Sequence, residues 1–381
     1  MKHKIALVRG KFLNQYEMQL YEPLVKEFDL TAFGSLTPFH DRFAFPVVKL
    51  PSPMDMSCGA GFRFARPILN RLFIDAHYLL GLEGKLKGFD LVHSAETYFH
   101  YTQQCLDAKK KGYVKKVIAS VYENIPFNNE GIWGRKSFKR RAREELDHII
   151  AITHKSKDAL VKEGADPKKI TVIGHFVDTK RFSPSIEAIK RRSTKRKELT
   201  ILFVGRLEAY KGVLDILDAA EILSKDPVLQ GYTIRWVFVG EGSQKERMLE
   251  RESSLGLSAT HKIVSYRDMP MVYDEADIFV APSKPIPTFE EQFCIALLEA
   301  QAAGLPIVTT RTGGIPENVG EAGVYVGAGD IKALACALKT YIVQPNLRAA
   351  YGGKARKRAE TVHDVAIGSK KIADLYTSLL S

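Results

Sequence analysis

The chain of 381 residues is longer than one ordinary domain, and 45% of it is hydrophobic and 26% charged, so we expect a globular protein with two separate cores. The formal net charge of +12 attracts anionic partners such as nucleotides, acidic lipids or nucleic acids without choosing among them. No apolar run approaches the roughly 20 residues of a membrane-spanning helix, and the scattered cysteines Cys58, Cys105, Cys294 and Cys336 argue against a zinc site or a disulfide framework and favour a reducing cytoplasm.

Short apolar runs alternate with longer helical stretches through the first half of the chain. A basic N-terminus leads into a predicted buried strand, Lys4 to Val8, and a loop at Gly10, a pattern that favours a first strand over a signal peptide. A helical pattern follows from Met18 to Phe28. Further strands are predicted at residues 47–50, 91–92, 117–121, 149–152 and 170–173. This alternation predicts a mainly parallel sheet with helices on both faces.

A polar segment, residues 183–199, precedes a second alternating series. It is rich in lysine and arginine and poor in apolar residues, which predicts a linker or an exposed loop between two domains. The second series has predicted strands at 200–204, 234–239, 263–264, 278–281, 307–309 and 323–326, and helices at 213–224, 331–343 and 347–380. We expect two such lobes to form a cleft, and ligands of parallel sheets bind outside the carboxyl ends of the strands.

The first motif at a strand end is FVGRLEAYKG, residues 203–212. Gly205 lets the backbone turn sharply after the strand, Arg206 emerges at the strand tip, and Lys211 lies near the start of the next helix. Two cations beside a helix N-terminus suit a diphosphate. A strand followed by Gly-Arg and a surface lysine also occurs without a ligand, so this motif alone leaves both interpretations open.

The second motif is TFEEQFCIALLEAQAAGLPIV, residues 288–308. Glu291 lies in a loop and Glu299 in the helix that follows, and both carboxylates can accept hydrogen bonds from the hydroxyls of a sugar and a ribose. The backbone N–H groups at the start of this helix, which favour an anion, belong to Phe293, Cys294 and Ile295. Two glutamates on one helix are commonplace, but the strands predicted on either side favour the functional interpretation.

A third motif, VGEGSQ at residues 239–244, places Gly240 and Gly242 at another strand end. Its glycines could let the backbone approach a nucleobase, although glycine-rich turns are routine. The motif lacks the GxGxxG spacing of dinucleotide-binding folds, which argues against a dehydrogenase.

The order of these pieces resembles the retaining glycosyltransferases of family 4, which have the GT-B fold. The pieces run FVGRL–KG, VGEG, YDEADIFVAPS and EEQFCIALLEAQAAGLPIVTTRTGGIPE, and the match is dense over residues 200–330. It extends weakly upstream through residues 168–182, which resemble the segment that links the two lobes in this family. The N-terminal lobe is similar in layout only.

The resemblance implies a role for each matching position. Arg206 and Lys211 match the cations that hold the donor diphosphate, so no metal is expected. Glu291 and Glu299 match the E-x7-E pair, whose first member contacts the transferred sugar and whose second contacts the ribose. The backbone positions that line the donor are Gly10, Gly205, Gly240, Gly242, Phe293, Cys294 and Ile295. Arg206, Lys211 and Glu291 would carry the catalysis.

Two departures from the family pattern concern the sugar and the acceptor. Family members usually have glycine where this chain has Gln292 and Cys294, and the added bulk could alter which sugar fits. Many members also carry a histidine after an N-lobe strand where this chain has Tyr122, Glu123 or Asn124. These three residues are the predicted acceptor side of the site.

We therefore expect an α/β protein of GT-B fold with two Rossmann-like domains. Residues 1–182 would bind the acceptor, residues 183–365 would bind the nucleotide sugar, and a C-terminal helix at about 366–381 would return to the N-terminal domain. The implied activity is metal-independent, cofactor-free transfer of a hexose, with retention, to an acceptor hydroxyl of a lipid-linked or polysaccharide-precursor glycan. Another GT-B enzyme such as a nucleotide-sugar epimerase, or a non-catalytic sugar-nucleotide-binding protein, remains an alternative.

The basic residues suggest where this protein would work. Basic and apolar residues interleave in the stretch 61–87, and a second basic run covers residues 135–141, as on a peripheral surface that reaches an anionic membrane. An ordinary solvated face has the same composition. The chain lacks zinc fingers, RNP-like aromatics and a clear helix-turn-helix, so nucleic acid is not an expected partner. We expect a cytoplasmic protein, either soluble or peripheral on the inner face of the membrane.

Overall fold

The computed structural model describes residues 2–57 and 74–381. The chain divides into two compact units, the first made of Met1–His175 and Ala366–Ser381 and the second of Phe176–Val365. Each unit holds one parallel β-sheet with helices packed against it, which confirms the predicted α/β class. None of the helices in the described ranges combines the length and apolarity needed to cross a bilayer.

The first unit is built on a seven-stranded sheet in the order β3-β2-β1-β4-β5-β6-β7. Its strands are β1 Lys4–Gly10, β2 Asp29–Ser35, β3 Val47–Leu50, β4 Phe89–Ala95, β5 Val114–Val121, β6 His148–Ala151 and β7 Ile170–Val172. The chain moves outward from β1 to β3 and then restarts with β4 on the other side of β1. The carboxyl ends of β1 and β4 therefore form the topological switch point of this unit.

Within residues 2–57 and 74–175, five helices of the first unit precede the chain's passage into the second. They are α1 Gln15–Met18, α2 Leu82–Lys85, α3 His100–Lys110, α4 Arg135–Glu145 and α5 His154–Lys162. The single helix predicted from Met18 to Phe28 is wrong: α1 ends at Met18, and a separate 3-10 turn covers Glu22–Lys26. Pro23 explains the interruption, because its ring has no N–H and can only begin a helical turn.

The second unit is built on a six-stranded parallel sheet in the order β10-β9-β8-β11-β12-β13. Its strands are β8 Glu198–Val204, β9 Thr233–Val239, β10 Ala259–Lys262, β11 Ile278–Ala281, β12 Ile307–Thr310 and β13 Val324–Val326. Its helices are α6 Ile186–Ser193, α7 Val213–Ser224, α8 Lys245–Leu255, α9 Met269–Glu275, α10 Ile295–Ala302, α11 Ile315–Val319, α12 Ile331–Val343 and α13 Pro345–Val362. The switch point of this sheet lies between β8 and β11, the strands that precede the two main motifs.

The polar segment 183–199 is part of the second unit rather than a linker, which corrects the sequence prediction. Ser185 caps α6 by accepting the N–H of Ala188. Arg192 on this helix is 3% exposed and donates to the backbone carbonyls of Tyr273, Ala276 and Ala303. A guanidinium has five N–H donors and can be buried wherever several carbonyls converge on it. The composition of the segment could not reveal that convergence.

The C-terminal helix α14, Val365–Leu380, returns the chain to the first unit, as the fold prediction expected. Tyr376 on this helix is buried, and its hydroxyl lies 2.7 Å from Nδ1 of His93 on β4. Ser369 donates to the carbonyl of Leu20. The units meet at residues 175/176 rather than at the predicted 182/183, because Phe182 packs on Tyr273 of the second unit at 5.7 Å.

Candidate functional site

The loops that follow β8 and β9 are locked together at the switch point of the second unit. Gly205 donates its N–H to the carbonyl of Val239, and Leu207 donates to that of Glu241. A Cβ on Gly240 would stand 2.1 Å from the Gly205 carbonyl oxygen, and one on Gly242 would stand 2.3 Å from that of Leu207. Glycine is required at both positions because backbone passes backbone without room for a methyl group. The predicted contact of these glycines with a nucleobase stays a prediction.

Arg206 is exposed and leans on aromatic rings at the tip of β8. Its guanidinium carbon lies 5.4 Å from the ring centre of Tyr210 and 6.0 Å from that of Phe289. Aromatic rings at this distance attract a cation, so they restrict the positions that the guanidinium of Arg206 adopts. The guanidinium therefore remains at the surface, beside the loop that carries Phe289 and Glu291, where it can contact a ligand.

Lys211 and Glu291, predicted from two separate motifs, form a direct ion pair. The Nζ of Lys211 lies 2.6 Å from Oε2 of Glu291, and both side chains are largely buried, at 14% and 7% exposure. Ser283, just past the end of β11, donates its hydroxyl to the same oxygen at 2.8 Å. Ser283 ends the family-like segment YDEADIFVAPS, and the sequence did not reveal its contact with Glu291. The structure thus brings one cation and one carboxylate together at the β8/β11 switch point.

The backbone of Glu291 is clamped by two glycines that follow β12. Gly314 donates its N–H to the Glu291 carbonyl at 2.8 Å. Gly313 has a φ of +54°, and a Cβ there would stand 1.8 Å from that same carbonyl oxygen. These glycines lie in the TGG of the family-like segment but were not singled out from the sequence. They hold the carboxylate of Glu291 in place through its main chain.

The eight-residue helix α10 begins at Ile295, directly after the loop that carries Glu291. Its N-cap residue Cys294 has a φ of +64°, a conformation that favours glycine. Asn318 on α11 supports this turn by donating to the carbonyls of Phe293 and Cys294. Burial raises the pKa of the Cys294 thiol to about 12, so the side chain stays a neutral thiol. The N–H of Leu297 in the first turn donates to the carbonyl of Cys294. The N-terminus of a helix favours an anion because its N–H groups carry partial positive charge.

Glu299, the second predicted carboxylate, lies inside α10 and is 4% exposed. Its Oε2 accepts the hydroxyl of Tyr273 at 2.6 Å. Burial raises the pKa of Glu299 to about 7. Both protonation forms therefore exist near neutral pH, and only the ionised form leaves every oxygen lone pair to accept hydroxyl groups.

The predicted acceptor residues of the first unit have different surroundings. Tyr122 donates its hydroxyl to Glu17 at 2.7 Å, and Asn124 accepts the hydroxyl of Thr153 at 2.9 Å. These two side chains brace the unit itself. Glu123 accepts from the side chains of Asn128 and Asn129 and from the N–H of Ile125, and burial raises its pKa.

Gly10 ends β1 with a φ of +55°, and a Cβ there would stand 3.2 Å from the ring of Tyr101. Glu96 directly follows the end of the neighbouring strand, β4, and was not singled out from the sequence because the strand was predicted only at residues 91–92. Glu96 is 3% exposed and accepts the N–H of Tyr122 at 2.9 Å. Burial, followed by the nearby Glu123, raises the pKa of Glu96 to about 8.

The basic run 135–141 is not a continuous exposed face, which corrects its sequence interpretation. Arg135 is paired with Asp75 at 2.8 Å and Lys139 with Glu163 at 2.6 Å, with little exposure of any of the four side chains. Lys136 and Arg140 point outward. Residues 61–73 of the other predicted basic stretch, 61–87, lie outside the described residues, which resume at residue 74.

Two family models match the chain, one in each half. Residues 32–181 match Glycosyltransferase Family 4, and residues 185–358 match Glycosyl transferases group 1. The second of these matches falls within the second unit, and the first covers the first unit from residue 32 and continues to residue 181, six residues into the second unit.

Curated relatives match over part of their length. A D-inositol 3-phosphate glycosyltransferase of Rhodococcus jostii is 31% identical over 231 residues, which cover 57% of this chain and 49% of the relative. The capsular polysaccharide biosynthesis glycosyltransferase CapM of Staphylococcus aureus is 27% identical over 244 residues, 61% of this chain and 62% of the relative. The chain thus spans about half the length of the first of these relatives.

Solved structures match over nearly the whole chain. HepE of Anabaena, in complex with UDP and glucose, has a TM-score of 0.75 at 17% identity and covers 99% of this chain and 100% of its own. WaaG, a glycosyltransferase involved in lipopolysaccharide biosynthesis, has a TM-score of 0.67 at 16% identity, with 97% and 99% covered. At these identities the likeness concerns the fold, which both proteins share with the chain.

Proposed function

Because the chain belongs to the group 1 and family 4 glycosyltransferases of GT-B fold, we propose that it transfers a hexose from a nucleoside diphosphate sugar to an acceptor hydroxyl with retention of configuration. The observation that carries this proposal is the buried pair of Lys211 and Glu291 at the β8/β11 switch point. A cation that binds phosphate and a carboxylate that binds hydroxyls meet there, beside the N-terminus of α10. A nucleotide sugar presents both kinds of group.

The proposed chemistry breaks the bond between the anomeric carbon and a phosphate oxygen, and negative charge grows on the leaving diphosphate. Arg206, Lys211 and the first-turn amides of α10 would stabilise that charge. In this proposal the fixed cations supply the positive charge that a metal supplies in other transferases, so neither metal nor cofactor takes part. The transferred sugar bonds to the acceptor oxygen as the donor bond breaks, and the leaving phosphate takes the proton of the acceptor hydroxyl.

The two glutamates would divide the recognition of the donor. Glu291, held by Lys211, Ser283 and the clamp of Gly313 and Gly314, is proposed to accept hydroxyls of the transferred sugar. Glu299, deeper in α10, is proposed to accept the ribose hydroxyls. Neither is proposed as a base. The similar HepE structure is a complex with UDP and glucose, which makes UDP-glucose the first donor to try.

The donor is tested by a thermal-shift screen of UDP-, GDP- and ADP-sugars on wild type, Lys211→Ala and the control Lys339→Ala. Lys339 is also paired at 2.6 Å, with Asp226, and lies away from the motifs. We expect one donor class to stabilise wild type and the control but not Lys211→Ala. Turnover, measured in the presence of EDTA, should be about 10²–10³-fold lower in Lys211→Ala than in wild type. An equal shift in all three proteins would remove Lys211 from the site.

Incubation of the same donor without an acceptor separates transfer from epimerisation. A transferase would at most hydrolyse the donor slowly, whereas an epimerase would convert it to another nucleotide sugar. Conversion by wild type would favour the alternative enzyme class.

We further propose that the first unit contacts an anionic membrane surface, where a lipid-linked acceptor would reside. The support is the loop between β5 and α4, where Trp133 is 78% exposed and Phe127 is 54% exposed. Lys136 and Arg140 are exposed on the helix that follows. Aromatic side chains beside cations suit the interface of a bilayer with anionic lipids.

A further inference from the structure

The switch point of the first unit carries a glutamate with unusual backbone geometry. Gly10 ends β1 and Glu96 follows the end of β4, and these two strands are neighbours whose connections run in opposite directions. Ligands of open parallel sheets bind outside the carboxyl ends of strands at such a point. Glu96 has a φ of +59°, which is rare for a residue with a side chain and is strain of the kind found at functional sites.

The carboxyl group of Glu96 is half satisfied. Its Oε1 accepts the N–H of Tyr122, while its Oε2 is buried and has no hydrogen-bond partner anywhere in residues 2–57 and 74–381. A buried polar atom without a partner loses the free energy of hydration and regains none of it from the protein. A ligand group that bonds to Oε2 would recover that free energy.

The charges around Glu96 decide which form the carboxyl takes. Glu123 and Glu163 favour its proton and Lys139 opposes it, and the buried rings of Tyr98 and Tyr101 lie within electrostatic reach. The Nζ of Lys139 is bonded to Glu163 and to the carbonyl of Asn128, so it does not neutralise Glu96 directly. With its pKa raised to about 8 by burial, Glu96 is mostly a neutral acid at pH 7, and Oε2 carries an O–H.

A second unsatisfied group stands at the same switch point. The hydroxyl of Tyr101, on α3, is buried and has no hydrogen-bond partner among the described residues. The ring of Tyr101 lies against Gly10, where a Cβ would come within 3.2 Å of it. The carboxyl group of Glu96 and the hydroxyl of Tyr101 thus each contain a buried oxygen without a hydrogen-bond partner among the described residues, beside the ends of β1 and β4.

We propose that Glu96 and Tyr101 bind hydroxyl groups of the acceptor, and that the part of the acceptor bound there is a neutral sugar or polyol. This inference rests on the proposed transferase function. A protonated carboxyl and a phenol donate to and accept from hydroxyl oxygens. The carboxylate forms of Glu96 and Glu123 would repel a phosphate, whereas a neutral hydroxyl group is repelled by neither protonation form.

The test compares Glu96→Gln, Glu96→Leu and the control Glu252→Gln with wild type. Glu252 is also a buried glutamate, at 6% exposure, bonded to His261. Transfer from the donor found above is measured with matched neutral and phosphorylated acceptors: methyl glucoside against glucose 6-phosphate, and myo-inositol against its 3-phosphate. Affinity for UDP is measured in parallel on each protein.

We expect wild type to use a neutral acceptor, with kcat/KM falling above about pH 8 as Glu96 loses its proton. Glutamine keeps a donor and cannot ionise, so Glu96→Gln should retain transfer without the alkaline fall. Glu96→Leu should lower kcat/KM for the acceptor at least tenfold with UDP affinity unchanged, and the control should behave as wild type.

Three results would overturn the assignment while leaving the transferase function intact. The first is normal kinetics in Glu96→Leu, and the second is an equal loss of transfer in both Glu96 variants. The third is a wild type that binds the donor but transfers to none of the neutral acceptors, whether or not it uses the phosphorylated ones. Failure of wild type to bind any nucleotide sugar would instead refute the proposed function itself.

Discussion

Glu291 and Glu299 are carboxylates of one candidate site with different neighbours. Glu291 accepts from the ammonium group of Lys211, whereas Glu299, inside α10, accepts from the phenol of Tyr273 on α9, and burial raises the pKa of Glu299 to about 7. The ribose hydroxyls proposed to bind Glu299 need a carboxylate that accepts. Protonation of Glu299 therefore opposes donor binding, and the effect falls within an experimentally convenient pH range.

We predict that affinity for UDP-glucose weakens as the pH falls from 8 to 6. Protonation removes the accepting form below the pKa, so the dissociation constant should rise toward the limit of tenfold per pH unit. Calorimetry on wild type and Glu299→Gln checks this, because the sugar ester of the diphosphate does not titrate in this range. Glutamine should bind more weakly at pH 8 and show no pH dependence. Parallel pH profiles for the two proteins would contradict the ribose role.

At the scale of single residues, the motifs identified the chemistry but not the contacts. Lys211 and Glu291 were each singled out from a strand-end pattern, yet their ion pair joins loops far apart in the chain. Glu96 was missed because the strand before it was predicted too short. Arg192 was assigned to a solvated segment because its partners are backbone carbonyls, which no side-chain pattern reveals.

At the scale of elements, the turn after β12 acts on the site through the main chain. Gly313 and Gly314 hold the carbonyl of Glu291, and the same turn leads into α11, whose Asn318 supports the start of α10. Alternating strands and helices could be predicted from apolar runs. The packing of one connecting turn against another could not, because it depends on the register between β11 and β12.

We predict that Gly313→Ala lowers transfer activity at least tenfold and destabilises the protein by more than the control Gly329→Ala. Both glycines have positive φ, +54° and +78°, so both variants strain the backbone by about 1 kcal/mol. Only at Gly313 does the new Cβ meet the Glu291 carbonyl; at Gly329 the nearest atom is the Cδ of Lys284 at 3.9 Å. Thermal unfolding and turnover together check this. Equal effects of the two variants would show that the clamp on Glu291 is unimportant.

At the scale of the whole molecule, the alternating pattern predicted two parallel-sheet units, and the family resemblance implied the return of the last helix. Residues 183–365 were expected to form the second domain, but α6 was not predicted within them, because ion-rich composition concealed a helix with a buried arginine. The net charge of +12 also did not indicate where the protein binds, because cations such as Arg135 and Lys139 form buried ion pairs inside the first unit. The exposed candidates for a membrane surface are fewer than the composition indicated.

We predict that, at low salt, more of the protein sediments with vesicles containing anionic lipid than with neutral vesicles. High salt should remove this difference, because it screens the attraction between the cations and the lipid. Trp133→Ala combined with Lys136→Glu should weaken sedimentation at least threefold. The control Ile263→Ala with Lys262→Glu changes the second unit, where Ile263 is 72% exposed. Equal partition between the two vesicle types, or equal loss in both double variants, would contradict the proposed surface.

The passage of the chain from one unit to the other and back has a consequence for biosynthesis. The second unit is one continuous stretch, Phe176–Val365, whereas the first is completed by Ala366–Ser381. The first unit can therefore close its core only after the entire second unit has been synthesised, because it lacks Tyr376, the partner of His93, until then. The half of the protein proposed to hold the acceptor is the last to be completed along the chain.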